Sequence, residues 1–547
     1  MKKIVAMLLA MAMLACVFTG CGGTKTDNQG TGNGEAKADE NAYINCLLKS
    51  EPSTLDVGKF MNIYDRTVLQ NVLEPLTRIQ DGQVVGAGAE KWEVSDDGLT
   101  YTFHLRENTW SDGQKVTAAD YAYAIQREAD PKNAWSLAND MFSIKNFQTI
   151  YNGEKPLSDL GVEAKDDSTL VITLDNKDVA LLSNVDFFPC RQDMVEKNGD
   201  QYGTEINTMV FCGPFVCTEW VHNSSMKFSK NDKYWDKDSV KLASFTFSII
   251  TDTNAIMSSF EAGSMDYVSV SNSEYIQKFS ANTALNKKTV SAARTMMAVF
   301  NCEDATFKNA KIRLAFSLAL DRDSLADVIT GGTATPAYGL IPADSSVGKY
   351  NFRKEVEEPL KALSKENSDP KALLIEGMKE AGLGDDPSKL SVKFSWGGTN
   401  ADAHTYAELY KEMWEKALGV TVELEFNDTT THMSNINAGK YQIATTSWGA
   451  NLEPSFQISR WANKKGGQSR WVNAEYMSKA NEAYAALDDK ARLDAFAEAE
   501  KLLISEAAIA PIYYTGSERF SYSYVQGFAD NPFDTTGMKT MYTSGRK

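Results

Sequence analysis

Four histidines, His104, His222, His404 and His432, stand singly along the 547-residue chain. No two have the spacing that a metal site or a general-base pair requires, so each reads as a surface or packing residue. The chain contains no phosphate-binding GxxxxGK, no zinc-binding HExxH and no nucleophile-elbow GxSxG. Its one SxxK, Ser346 to Lys349, lacks the KTG and SDN partners that would make it an acyl-transfer site. Gly397-Gly398-Thr399-Asn400 offers backbone that can cradle an anion, but the same run serves as a plain turn between a strand and a helix. Beyond Cys16 and Cys21, the cysteines are Cys46, Cys190, Cys212, Cys217 and Cys302. Their odd number leaves at least one thiol unpaired, and they read as small buried hydrophobes. Catalysis has no foothold here, and neither an enzyme nor a cofactor or metal is expected. With 73 acidic against 56 basic residues and a net charge of −17, there is no basic footprint for nucleic acid.

The N-terminus sets an expected location. Lys2 and Lys3 precede the apolar run from Ile4 to Leu14, the pattern of a secretory signal and too short for a stable membrane span. Phe18-Thr19-Gly20-Cys21 resembles the lipobox of bacterial lipoproteins, with Phe18 in place of the usual Leu. In that motif the cysteine is diacylated and becomes the new N-terminus. Leu14-Ala15-Cys16 is a rival site that would end the apolar run early. Gly22 to Asn41 has no periodic apolar pattern and reads as a flexible tether. The expectation is a monomeric globular body held at the extracellular face of the cell membrane by lipid on Cys21.

The elements behind this are mixed. Leu99, Tyr101, Phe103 and Leu105 alternate with polar residues after the Asp97-Gly98 turn, and Leu170, Ile172 and Leu174 alternate likewise; both read as strands. Thr117 and Asp120 form a capping-box pattern ahead of a helix carrying Tyr121 and Ile125. Further on, Leu390, Val392, Phe394 and Trp396 alternate. Tyr406, Leu409, Tyr410, Met413, Trp414 and Ala417 then recur at helical spacing up to Gly419, and Val422, Leu424 and Phe426 alternate again. This βαβ pattern predicts a parallel strand pair with a right-handed crossover. Asp321 is placed to cap a helix, and Asp369-Pro370 opens one that runs to Gly382. Separate α/β bodies joined in this way place a small-molecule cleft at their junction.

Ordered blocks carry a family resemblance. They are Leu105-Arg106-Glu107-Asn108 with Trp110-Ser111-Asp112-Gly113, Val116-Thr117-Ala118, Asp120-Tyr121, Gln126-Arg127 and Ala129-Asp130-Pro131, followed by Gly213-Pro214-Phe215 and Asn231-Asp232-Lys233-Tyr234-Trp235. Glu261-Ala262-Gly263, Met265-Asp266, Arg313 through Ala319-Leu320-Asp321-Arg322, and Pro511-Ile512-Tyr513-Tyr514 complete the set. From about residue 43 to 545 the chain resembles the bacterial extracellular solute-binding proteins of the oligopeptide, dipeptide and nickel class, most of all the oligopeptide-binding members. The turn around Trp110 to Gly113 and the run from Arg313 to Arg322 read as structural rather than ligand-contacting.

The resemblance implies an α/β fold of the periplasmic-binding-protein kind, with two lobes closing on a cleft and a small extra α/β domain. It implies lobe I from 43–75, 184–293 and 509–547, the extra domain at 76–183, and lobe II at 294–508, after a signal at 1–21 and a tether at 22–42. It also implies a substrate-binding component of an ABC importer that works with permease subunits and holds extended peptides by main-chain hydrogen bonds, a form of strand addition. Two stretches match the family's contact segments: Lys59-Phe60-Met61-Asn62-Ile63 and Thr445-Thr446-Ser447-Trp448-Gly449. Peptide-binding members usually carry an Asp two positions beyond the Gly449 site, where it pairs with the peptide's α-amino group. Here the run is one residue shorter and Asn451 stands in that place. Either Asn451 makes a neutral contact or Glu453 shifts in as the acid. The alternatives within the class are a non-peptide solute (an opine, an oligosaccharide or a metal chelate) or a signalling-peptide receptor. A secreted peptide hydrolase, the alternative outside it, lacks a nucleophile–base pair.

Overall fold

Alternation along the chain decides where the sheets lie. The computed structural model describes residues 37–60, 62–133, 135, 141–462 and 467–546. Cys21, the signal segment, most of the tether and Met61 lie outside the described residues. The folded body begins earlier than residue 43: Asp39 N–H donates to Thr543 O at 2.8 Å, and the Asp39 carboxylate accepts from Gly545 N–H at 2.7 Å.

The strand Tyr43–Leu48 turns Ile44, Cys46 and Leu48 inward and lies parallel to Ser244–Ile249. Ser225–Lys230 and Phe215–Val221 complete this four-stranded sheet. A second four-stranded sheet is antiparallel, with the order Ala89–Val94, Thr100–Leu105, Thr169–Thr173 and Val162–Asp166. Against it packs the helix Ala118–Ala129, which starts on the capping box of Thr117 and Asp120. Trp110 is buried with its indole N–H 3.3 Å from the Asp120 carboxylate, and Gly113 N–H closes the turn onto Trp110 O. That block of the sequence is structural.

The third sheet runs in the order Tyr267–Val270, Ile509–Tyr522, Leu285–Phe300, Ile443–Gly449, Ser391–Gly397 and Thr421–Asn427, with the short strand Thr335–Pro336 added to Ile509–Tyr522. Its last two strands are parallel, with Val392 beside Val422 and Phe394 beside Leu424. The helix Ala401–Leu418 joins them, capped by Asn400 and ended by Gly419 at φ 77°. Gly397 to Asn400 is therefore a strand-to-helix turn. The other helix readings hold as well: Asp321 caps Arg322–Thr330, and Asp369 caps Pro370–Glu380 ahead of Gly382.

Arg313 and Arg322 are buried and bind main-chain carbonyls. Arg313 donates to Phe307 O and Glu506 O, while Arg322 donates to Ala337 O and Pro511 O. Each satisfies carbonyls that a buried loop would otherwise leave without partners. All five cysteines outside the signal region are free thiols. Burial pushes Cys190 and Cys302 up to about 11, so they remain protonated and unreactive.

The two long strands, Leu285–Phe300 and Ile509–Tyr522, connect different cores. At one end Phe520 packs with Ile256, Phe260, Val268 and Phe279. At the other, Met297, Val299 and Ile509 pack with Leu503 and Phe496. Between the two cores the register slips from Ser291↔Gly516 to Thr295↔Tyr514, and Ala293 takes a left-handed φ of 46°. A bulge of this kind bends a strand and increases its local twist.

Candidate functional site

The first segment singled out by sequence is a turn braced from below. Asp56 is fully buried and accepts both Arg127 guanidinium nitrogens, at 2.7 and 2.8 Å, along with Gly58 N–H at 3.1 Å. Lys59 and Phe60 N–H groups both turn back onto Asp56 O. Phe60 is buried with the Arg66 guanidinium 5.7 Å from its ring centre, so its side chain belongs to the scaffold. Asn62 caps the helix Ile63–Val72, its side-chain oxygen accepting Tyr64 N–H and Asp65 N–H. Ile63 is 68% exposed, more than any other large apolar side chain among the described residues.

The second segment is the strand Ile443–Gly449. One edge is covered along its whole length by Leu285–Phe300, from Ile443↔Phe300 to Gly449↔Arg294. The other edge is covered only at Ile443 and Ala444, by Phe394 and Ser395. Hydrogen-bonded and non-hydrogen-bonded pairs alternate along an antiparallel ladder. Ala450 N–H donates to Ala293 O at 2.7 Å, which turns the N–H and C=O groups of Thr445, Ser447 and Gly449 toward the other edge, uncovered beyond the pairing of Ala444 with Ser395. Two side chains reach that edge. His432 Nε2 donates to Thr445 O at 2.8 Å, with the Ser395 hydroxyl 3.2 Å from Nδ1. Arg294 Nη1 donates to Ser447 O at 3.2 Å and lies 3.0 Å from the Ser447 hydroxyl.

Trp448 is half-buried rather than enclosed in the core, and its indole N–H donates to Gln468 Oε1 at 3.1 Å. The Arg460 guanidinium carbon lies over it, 3.5 Å from the ring centre. Asn451 is exposed, its carbonyl accepting from Ser345 Oγ at 3.2 Å. Glu453 is buried 2.6 Å from Arg492 Nε. Burial raises the Glu453 carboxyl to about 7 and Arg492 pulls it back. Of the two readings, a neutral Asn451 or an acidic Glu453, the second thus meets a carboxylate already paired inside the fold. No hydrogen bond joins the first segment to the second among the described residues. The other histidines are in local pairs: His104 with Glu93, His222 with Glu51 and Glu205, and His404 stacked on Phe426.

Comparison with known proteins decides the family. A profile for bacterial extracellular solute-binding proteins, family 5 Middle, matches residues 83–469. The chain belongs to this family. The oligopeptide-binding protein OppA of Bacillus subtilis is 30% identical over 528 residues, 94% of each chain. Haemophilus influenzae OppA, solved in complex with the peptide RPPGFSPFR, is 27% identical with a TM-score of 0.68, covering 93% of this chain and all of that one. The murein tripeptide-binding protein MppA in its unliganded open form is 28% identical with a TM-score of 0.81, covering 93% of this chain and 98% of that one. A second structure, of Escherichia coli MppA, has the same identity but scores 0.70, with 93% and 100% covered. The α/β fold with two lobes expected from the sequence is the fold these relatives have.

Sequence reasoning missed Asp56 and Arg127 as the brace under the first segment, and His432 and Arg294 as the side chains that reach the open edge. Arg127 was in view as part of a family block. His432 and Arg294 carried no signal, because their targets are main-chain carbonyls of a strand whose open edge only the fold defines.

The Glu453–Arg492 pair has a measurable consequence. Removing one partner of a buried ion pair leaves the other uncompensated and costs about 3–5 kcal/mol. Arg492→Met is expected to lower stability by that amount at pH 8, read from the urea midpoint. The folded state binds the Glu453 proton more tightly than the unfolded chain, so the deficit grows as pH rises and shrinks toward pH 5.5. A deficit independent of pH would contradict the assignment.

Proposed function

We propose that this protein is the extracellular substrate-binding component of an ABC importer, capturing oligopeptides in the cleft between its lobes and handing them to permease subunits. The observation that carries the reading is the uncovered strand edge at Ser447 and Gly449. An extended peptide laid there completes the ladder with groups that every peptide possesses, which favours binding of many sequences. The relatives named for oligopeptides, one of them solved with a peptide bound, support the same ligand class. Thr445, Ser447, Trp448 and Gly449 form one wall of this site, and the turn carrying Phe60 with Asn62 and Ile63 forms the other, with Ile63 as the apolar surface that ligand or closure covers. Asn451 makes a neutral contact near the peptide's amino end. The role is one of binding, with no chemical step. Lobe I comprises 39–75, 184–293 and 509–547, the extra domain 76–183, and lobe II 294–508. The protein acts as a monomer held at the membrane through diacylated Cys21, since two acyl chains anchor stably where one does not. Among the described residues no helix is long and apolar enough to cross a membrane.

The edge is tested by Ser447→Pro. Proline removes an N–H that does not serve the ladder to Leu285–Phe300, so the strand is expected to persist. Calorimetry with a mixed tri- to pentapeptide set should show affinity falling at least tenfold, about 1.4 kcal/mol, with the urea midpoint little changed. Undiminished affinity would count against main-chain capture at this edge. Because Asn451 carries no charge, acetylating a bound peptide should cost less than about tenfold; a hundredfold loss would reveal a charge pair of the kind worth about 2–5 kcal/mol.

The anchor is tested separately. Cys21→Ser should move the protein from the membrane fraction to the soluble fraction of the producing cells, and unchanged membrane retention would refute lipidation at Cys21.

A further inference from the structure

The bulge between the two long strands is braced by a side chain from outside both of them. Ala293 is buried and left-handed at φ 46°, a conformation that is costly for a residue with a Cβ and persists only where its surroundings fix it. Two hydrogen bonds do so. Its N–H donates to the Ser291 hydroxyl oxygen at 3.0 Å, and its C=O accepts Ala450 N–H at 2.7 Å. The Ser291 hydroxyl in turn donates to Asp344 Oδ2 at 2.5 Å. With its proton committed to the carboxylate, that hydroxyl keeps a lone pair for Ala293 N–H.

The residues after Asp344 close a ring. Ser345 Oγ donates to Asn451 O at 3.2 Å, and Ser346 N–H donates to Leu452 O at 2.8 Å. Residues 344–346 therefore meet the bulge on one side and the chain leaving the open strand on the other, while the bulge itself holds Ala450. A shift of the bulge moves Ala450 and Asn451, which follow directly on the edge groups of Ser447 and Gly449.

Asp344 is half-buried. Burial pushes its carboxyl above the usual aspartate range, and the Ser291 hydroxyl pulls it part of the way back, so it takes up a proton at a higher pH than an ordinary aspartate. Among the described residues only burial, that hydroxyl and its own N–H act on its titration. The charged side chains on the surrounding segments are engaged elsewhere: Arg294 at Ser447, Glu453 with Arg492, Asp530 with Lys288, Asp534 with Thr536 N–H and Lys349 over the Tyr350 ring. Protonating Asp344 turns a charge-assisted hydrogen bond into a neutral one, about half as strong.

We propose that Asp344 is a positioning residue for the ligand: through Ser291 it sets the bulge, and through the bulge the exit of the open strand, so that affinity for a peptide falls when its carboxylate takes up a proton. The inference rests on the peptide-capture reading, which supplies the ligand at Ser447 and Gly449.

The test uses the whole folded chain and the member of the tri- to pentapeptide set that it binds best. Asp344→Asn keeps the shape and an acceptor for Ser291 but removes the charge. Calorimetry should show the variant weaker by about threefold at pH 7, with the ratio narrowing below about 1.5 at pH 4. Because both proteins share the ligand's termini and Glu453, their titration cancels in the ratio. Ser291→Ala should lose at least as much at pH 7, by an amount that also shrinks on acidification, and in its background Asp344→Asn should have no further effect. If Asp344→Asn does not fold, the pH dependence of the Ser291→Ala ratio decides. Equal affinities at pH 7 overturn the inference and leave peptide capture standing. A ratio that does not move with pH overturns it too, since a purely structural loss behaves that way. A full loss from Asp344→Asn in the Ser291→Ala background overturns the route through the bulge. If the wild-type chain binds no member of the set, the capture reading and this inference fall together.

Discussion

The pairing of Leu285–Phe300 with Ile509–Tyr522 is the interaction on which the rest of the molecule depends. Each strand is long enough to leave one hydrophobic core and enter another, with Phe520 in the first and Met297, Val299 and Ile509 in the second. A continuous, regular ladder would weld these bodies into one stiff sheet. The register slip between Ser291 and Thr295, with Ala293 in a left-handed conformation, interrupts the ladder at the crossing. The few residues at such an irregularity absorb backbone rotation that packed cores on either side cannot, which is what a hinge requires.

The same strand creates the site. Leu285–Phe300 covers one edge of Ile443–Gly449 in full, while the parallel neighbour Ser391–Gly397 leaves it after Ala444. An uncovered edge is normally a hazard, because it invites pairing with other chains. Here it lies next to the bulge, and it is short. His432 and Arg294 satisfy two of its carbonyls, Thr445 O and Ser447 O. These contacts hold the strand straight in the absence of a ladder partner without covering all of its outward groups. The opposite segment is fixed differently: the buried Asp56–Arg127 pair and the Asn62 cap make a rigid turn from residues that themselves contribute little exposed surface.

Local pattern made much of the fold legible. The strand-helix-strand unit from Ser391 to Asn427 was readable because alternation, helical spacing and the Gly419 stop all agree, and each is a property of near neighbours. The capping box at Thr117 and Asp120 and the caps at Asp321 and Asp369 were readable for the same reason. The blocks around Trp110, Arg313 and Arg322 proved to serve packing and carbonyl satisfaction, as their composition suggested.

What the sequence determined by itself was thus the local elements, the α/β class and, through ordered blocks, the family. What only the tertiary structure decided was the site: which edge of Ile443–Gly449 is open, that Glu453 lies under Arg492 while Asn451 faces solvent, and that Asp344 reaches the Ser291 hydroxyl beside the bulge. The physical reason is one of range. Helix caps, turns and alternation are set by residues within a few positions of one another, whereas an uncovered edge is defined by the place where a separate strand stops pairing. Ser395 and Ala444 lie 49 residues apart in sequence, and nothing near either one announces that their pairing is the last.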